Sequence, residues 1–386
     1  MRVLFIKLSS FTALRSSTMR TLSLMKGFYE LGWTIDFLTL NRQNGETTNS
    51  MDKYSFLSDV NIICLNGQSK MSFDGNEKNK KTNISFTRRI LRFFGKMLSP
   101  FIVFGSSKKY VKKVNRKLLP ATKYDLIISV SDPKSSHLAL KKLLDDCVVA
   151  NKIVEYWGDP LVGDISKSFL IPRKRLKKIE YDMLRISDAI FYTSPFTLDE
   201  AKRLYPILAK KMFFTPTANI DTRLLGPTNN KVFTCGYFGA YYSKIRNIKP
   251  LYNAFNDFDC NLVIYGDSDL KLEERSNIEV HPRGNIDVAE KKVDLLIMLL
   301  NLSGSQIPGK IYHDASTDKP ILVILDGENR KGIKEYLTNF ERFYFCENDV
   351  ASIRKAIREI YNNSNRICYP CEKLECRTIA KKIIEI

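Results

Sequence analysis

Histidine is scarce in this chain: only His137, His281 and His313 occur in 386 residues. Chemistry that needs several imidazoles, such as a histidine-rich metal centre, therefore has little to draw on. No apolar run reaches the roughly 18 residues of a membrane-spanning helix. Met1 to Ser10 runs straight into a strand-like pattern with no signal-peptide cleavage site, so export is not expected. The eight cysteines are scattered, and a disulfide scaffold is not expected in a chain that reads as cytoplasmic. Only Cys368, Cys371 and Cys376 cluster; with no histidine near them in sequence they read as ordinary thiols. Hydrophobic residues at 44% beside 27% charged exclude a disordered, collagenous or coiled-coil chain.

Acidic residues are missing altogether between Lys78 and Tyr124, a stretch that holds fourteen of the chain's 61 lysines and arginines. The net charge of +19 points to acidic partners, and its position narrows them. On a helix with residues about 100° apart, Phe86, Ile90, Leu91, Phe93, Phe94, Met97 and Leu98 share one sector. Arg88, Arg89, Arg92 and Lys96 share the opposite one. Pro100 ends the pattern and Phe101 to Phe104 follow. This composition suits a segment lying in an anionic membrane interface; a helix packed on its own domain with a solvated cationic face is the alternative. Lys108 to Leu119 reads as a core helix, with Tyr110, Val111, Val114 and Leu118 facing inward. No helix-turn-helix, zinc finger or aromatic RNA-binding signature accompanies the charge, so nucleic acid is not an expected partner.

Short β-rich runs alternate with helical stretches, the pattern of an α/β protein with parallel sheets covered on both faces. Strands are expected at Val3 to Ile6, Ile35 to Thr39, Val60 to Leu65, Leu126 to Val130, Lys152 to Tyr156 and Ala189 to Tyr192. After the run Thr215 to Thr228, which reads as a linker, they resume. The second set is Val232 to Tyr237, Asn261 to Tyr265, Ile278 to Val280, Leu295 to Leu299, Ile321 to Ile324 and Phe343 to Phe345. The expected organisation is an N-terminal lobe 1–215 that includes the basic segment 78–119, a linker 216–229, a C-terminal lobe 230–370, and a terminal helix 371–386 packing back toward the first lobe. Two such lobes would bind ligands in a cleft at the carboxyl ends of their strands.

Gly304 to Lys310 matches the first seven positions of a P-loop, but Ile311 stands where magnesium needs a hydroxyl, so a nucleoside triphosphatase is disfavoured. The same stretch reads better as a strand, a glycine loop, and a short helix opened by Pro308 to Lys310 whose free N–H groups attract an anion. Lys310 would add a point charge for a diphosphate. In the first lobe, Tyr156-Trp157-Gly158-Asp159-Pro160 closes a strand with an aromatic pair and a carboxylate. Asp159 would position or deprotonate an acceptor hydroxyl, or else cap the turn.

Several blocks in order resemble the GT-B glycosyltransferases of the family-4 type. They are Arg20 to Trp33, Ser187 to Ser194, Pro216 to Asp221, Gly236 to Gly239 with Arg246 to Leu251, Val293 to Asn301, and Gln306 to Leu322 with its Lys319-Pro320 turn. The resemblance implies two Rossmann-like lobes facing across a cleft. It also implies a nucleotide-diphosphate sugar as donor, a glycan or lipid-linked acceptor, retention of configuration, and no cofactor. Bacterial surface polysaccharide assembly at the cytoplasmic face of the inner membrane is the expected setting. A metal-independent site is expected, on the reading that no metal triad or Asp-x-Asp motif is present.

Departure of a nucleoside diphosphate places negative charge on its β-phosphate, so the donor lobe needs cations there. Lys244, Arg246 and Lys310 are the candidates, with Arg246 and Lys310 in catalytic roles beside Asp159. The expected donor contacts are Gly239, Gly304, Ser305, Gln306, Ile307, Pro308, Gly309, Ile311, His313 and Asp314. The family's paired glutamates, eight positions apart, would fall on Ser305 and His313; neither is Glu, and the adjacent Asp314 would supply the carboxylate. On the acceptor side, Ser9, Ser10, Thr12, Ser131, Asp132 and Trp157 are expected. The rival readings are a non-catalytic nucleotide-sugar or glycan-binding paralogue and a nucleotide-sugar epimerase.

Overall fold

The computed structural model describes residues 1–12, 15–41, 54–65, 103–164, 170–363 and 368–386. The expected basic amphipathic helix, with Arg88, Arg89, Arg92, Phe93, Phe94 and Lys96, lies outside them. Among the described residues, no helix is long and apolar enough to cross a membrane. The chain divides into two units: residues 1–216 with 380–386, and residues 217–379.

In the first unit β1 (Arg2–Ser10), β2 (Thr34–Leu40), β3 (Asn61–Cys64), β4 (Lys123–Val130), β5 (Val149–Trp157), β6 (Ala189–Tyr192) and β7 (Met212–Phe214) form one sheet. Its order is β3-β2-β1-β4-β5-β6-β7, and every pairing is parallel. A parallel sheet is covered on both faces, so its strands read as continuous apolar runs. In β1, Leu4, Ile6 and Leu8 pack with Leu140 and Leu143 of the helix Ser135–Asp145. Phe5, on the opposite face, meets Phe28 of the helix Ser16–Glu30 edge-on at 5.6 Å. That helix stops as its pattern indicates: Gly32 takes a φ of 77°, where a side chain would be strained.

In the second unit β8 (Thr234–Phe238), β9 (Asn261–Tyr265), β10 (Ile278–His281), β11 (Leu295–Leu299), β12 (Ile321–Leu325) and β13 (Tyr344–Glu347) form the other sheet. Its order is β10-β9-β8-β11-β12-β13, again all parallel. The α/β class with two Rossmann-like sheets is as expected. Each sheet reverses its order once, at β1/β4 and at β8/β11, and such a switch point opens a crevice at the strands' carboxyl ends.

Three expectations change. Lys108–Leu119 is not one helix: a single turn, Lys108–Val111, is followed by a 3-10 turn, Arg116–Leu118, in which Lys117 N–H donates to Asn115 Oδ1 and Arg116 N–H to Asp146 Oδ2. Val114 and Leu119 are buried while Leu118 is exposed, because the break shifts the inward positions. Strand β7 was not expected; Met212-Phe-Phe is only three residues long, and the 3-10 turn Pro206–Lys211 that leads into it obscures the pattern. The stretch expected as a linker is bound to the second unit. Asn219 N–H donates to Leu374 O, Arg223 N–H to Ser316 O, and the N–H groups of Leu225 and Gly226 to the Asp318 carboxylate. In the terminal helix Cys376–Glu385, residues 380–386 belong to the first unit, where Lys152 Nζ donates to Ile383 O at 3.1 Å.

Candidate active site

Beside the switch point of the second sheet, β8 and β9 end so close together that the β9 end has no room for a side chain. A Cβ on Gly266 would lie 2.0 Å from Gly239 O. Gly239 N–H donates to Tyr265 O at 2.9 Å, tying the end of β8 to β9, and Gly266 N–H donates to His281 O at 3.1 Å, tying the end of β9 to β10. Arg246 folds back onto this loop: its Nη1 donates to Ala240 O at 2.7 Å and its Nε to Asn301 Oδ1 at 3.1 Å. It therefore spans the carboxyl ends of β8 and β11. Lys244 is exposed, while its neighbour Ser243 is held by Asp269, so Arg246 rather than Lys244 is the cation built into this edge.

After β11 the chain turns through Gly304 into the short helix Lys310–Asp314. Ser305, Gln306, Ile307, Pro308 and Ile311 are buried, with Gly309 at the amino end of the helix. Ile311 is core, which accounts for the apolar residue where a P-loop needs a hydroxyl. Lys310 is not an isolated cation. Its Nζ lies 2.6 Å from Glu290 Oε1 and 2.9 Å from Asp314 Oδ1, and 5.7 Å from the Phe238 ring centre. Arg223 takes the other Glu290 oxygen, and also reaches His313 O. Two cations and two carboxylates thus cancel at short range.

Burial works against ionising both acids, and the cations decide between them. Glu290, gripped by Lys310 and Arg223, is held down to about 2. Asp314 is raised by its burial, with Lys310 opposing and Glu290 adding to the rise. Sequence reading missed Glu290 and Arg223. Glu290 sits in Asp-Val-Ala-Glu-Lys-Lys, which reads as a solvated helix, and nothing local reveals that it is fully buried. Among the described residues, the ligand atoms of Glu290, His313 and Asp314 lie within 4.8 Å of one another. The chain's own ammonium already contacts both carboxylates of that trio. Two Asp-x-Asp triplets do exist, contrary to expectation. Asp267 pairs with Arg283 at 3.5 Å, and Asp269 takes the N–H and hydroxyl of Ser243. Asp257 and Asp259 line a cavity with Arg275 and Asn277, on the segments that lead into the amino ends of β9 and β10, the opposite edge from Gly239.

In the first unit the corresponding switch point gathers a denser cluster. Ser131 N–H donates to Tyr156 O at 3.0 Å and Gly158 N–H to Ser131 Oγ at 3.2 Å, so the ends of β4 and β5 are stitched together. Arg20 reaches across from its helix to donate to Ser131 O at 2.7 Å. Its guanidinium fills the space a Cβ on Gly158 would need. Lys134 Nζ lies 2.5 Å from Asp132 Oδ1 and is itself buried. Burial and the neighbouring Asp132 push the Asp159 carboxyl up to about 6, against the pull of Lys134 and Arg20. Ser10 and Thr12 hydroxyls bond each other at 2.9 Å, and Ser9 lies on the same strand end.

Trp157 does not belong to an acceptor surface. Its ring is fully buried, stacked on His137 at 4.3 Å, with Nε1 donating to Glu155 Oε2 at 2.9 Å. Ser131 is likewise buried and structural. The final residues of β5 point into the core because the strand is covered on both faces. Behind Trp157, His137 bonds Ser129 at 2.7 Å; burial lowers this histidine to about 3 and raises Glu155 to about 8, so both are neutral at pH 7. The side chains of Ser129, His137 and Glu155 are all fully buried. Cys368, Cys371 and Cys376 form no disulfide.

No family model and no curated protein matches the sequence. Solved structures match along the whole chain. A glycosyltransferase from Rickettsia africae is 14% identical with a TM-score of 0.56, over 100% of this chain and 93% of that one. The Anabaena protein HepE, solved in complex with UDP-glucose, is 10% identical with a TM-score of 0.54, over 99% and 94%. TarM is 10% identical with a TM-score of 0.57, over 100% and 95%. The likeness identifies the fold of this chain as GT-B.

Proposed function

We propose that this protein is a glycosyltransferase that moves a sugar from a nucleotide-diphosphate donor to a glycan or lipid-linked acceptor, with retention and without a metal. The observation that carries the reading is Arg246 on the carboxyl edge of the second sheet. There its guanidinium spans β8 and β11 beside a strand end stripped to backbone by Gly239 and Gly266. A diphosphate binds where backbone can approach closely and a fixed cation meets the charge that develops as the glycosyl C–O bond breaks. Lys310 is the second cation, held by Glu290 and Asp314. In the first unit Asp159, with a carboxyl titrating near 6, is ionised at neutral pH and takes the proton of the acceptor hydroxyl as its oxygen bonds to the sugar. HepE was solved with UDP-glucose, which supports a nucleotide sugar as the donor class.

A panel of nucleotide sugars in a thermal-shift assay tests this, because a ligand that binds only the folded state raises its melting temperature. The expected result is a rise with one nucleotide family, lost in Arg246→Ala, together with release of the nucleoside diphosphate. A non-catalytic paralogue is the second reading, favoured by Ser305 and His313 in place of the paired glutamates. It predicts the same shift with no release.

The basic segment supports an acceptor held at an anionic membrane on its cytoplasmic face, as in surface polysaccharide assembly. Reversing Arg88, Arg89, Arg92 and Lys96 to glutamate is expected to abolish sedimentation with anionic vesicles at low salt. Sedimentation unchanged by all four reversals removes the membrane from the proposal.

A further inference from the structure

Asp132 and Asp159 sit on the ends of adjacent strands, and the pairing of Val130 with Tyr156 fixes their spacing in the sheet. Asp164, just beyond, adds a third carboxylate whose charge acts on Asp159. Carboxylates crowded in a partly buried corner do not all stay ionised unless fixed cations oppose them. Two do so here. Arg20 comes from the helix Ser16–Glu30 and is anchored on Ser131 O. Lys134 lies at the foot of the helix Ser135–Asp145, with its ammonium 2.5 Å from Asp132 and 5.8 Å from the Trp157 ring centre. Lys7 Nζ closes the corner from β1, donating to Asp132 O and Ser17 O at 2.9 Å each.

We propose that Lys134 is a positioning residue: its buried ammonium, locked between Asp132 and the Trp157 ring, keeps Asp159 ionised so that it can accept a proton near neutral pH. The proposal rests on the reading of Asp159 given above. The burial of Trp157 gains a purpose from it, since stacked on His137 the ring forms a rigid floor under the ammonium. A lysine 1% exposed would ordinarily lose its proton more easily, yet Asp132, Asp159 and Asp164 outweigh its burial and raise it, so the cation persists. His137 and Glu180, on the two helices packed against this corner, also feel the same charge. A neutral His137 adds no competing cation.

Aspartate carboxyl carbons, labelled with carbon-13 in the full chain and followed from pH 4 to 9, report Asp159 directly once Asp159→Asn has identified its signal. In Lys134→Met the Asp159 titration is expected to move up by at least about one pH unit, and Lys134→Arg is expected to return it. Asp132→Asn, which removes the like charge, is expected to move it down and covers the case in which Lys134→Met does not fold. Release of nucleoside diphosphate from the stabilising nucleotide sugar supplies the kinetic arm. Lys134→Met is expected to be slow at pH 7 and to recover toward pH 8.5, whereas a merely structural defect lowers the rate at every pH. An Asp159 titration unmoved in Lys134→Met, or in Asp132→Asn should the former not fold, overturns the proposal alone. Full activity with an unchanged acid limb in Asp159→Asn overturns it together with the role of Asp159.

Discussion

Glu290→Ala is expected to lower the melting temperature of the second unit by roughly 10 °C. Glu290 is fully buried and each of its oxygens meets a different cation, Lys310 on one side and Arg223 on the other. Removing one partner of a buried pair leaves the others uncompensated at a cost of about 3–5 kcal/mol, and in a domain of this size each kcal/mol is worth about 2–4 °C. Glu290→Gln preserves the shape but offers an amide N–H to a guanidinium, so it is expected to lose less. Adding Arg223→Met to it is expected to recover part of that loss. The sign with pH follows from the same contacts. Glu290 is held below its unfolded value, so its contribution is complete above about 4.5 and is lost as the pH falls through about 2. Calorimetry of the single and double variants decides; a change of under about 3 °C for Glu290→Ala shows that the quartet contributes little.

Gly266→Ala is expected to cost stability and ligand binding together. The new methyl would sit 2.0 Å from Gly239 O, and both are backbone-fixed by ladder hydrogen bonds. Relief therefore requires the end of β8 to move, not a side chain to rotate. Overpacking of this kind costs about 1–3 kcal/mol, and more where backbone meets backbone. Because Arg246 holds Ala240 O, the shift also displaces the cation proposed to meet the diphosphate. Urea unfolding is expected to show the loss, and calorimetric titration at least about a tenfold weaker nucleoside diphosphate, about 1.4 kcal/mol. Gly284→Ala is the control: its nearest contact would be at 3.9 Å, and it is expected to change neither. Wild-type affinity in Gly266→Ala places the diphosphate away from Gly239.

Sequence periodicity recovered nearly every strand because buried parallel strands are written as short β-branched and aromatic runs, and both Asn261–Tyr265 and Leu295–Leu299 coincide with their observed limits. It failed where local pattern and tertiary role diverge. The alternation in Lys108–Leu119 suits a helix, but Asn115 can cap a new turn inside it. Trp157 closes an apolar strand beside a carboxylate, which resembles a binding surface; only the helix packed over that face shows the ring to be floor rather than wall. Lys310 was legible as a cation near the proposed phosphate site. That its charge is shared with Glu290, twenty positions earlier, was not.

Composition and order of segments alone determined that this chain makes two parallel α/β units, since hydrophobic period and glycine stops act over a few residues. Which of its many charges stand in reach of a substrate was decided by tertiary structure. Whether a carboxylate is ionised, and whether a lysine is available or committed, depends on burial and on partners brought from distant positions. Asp159 with Lys134, and Lys310 with Glu290, acquire their properties only when separate strand ends and helices meet.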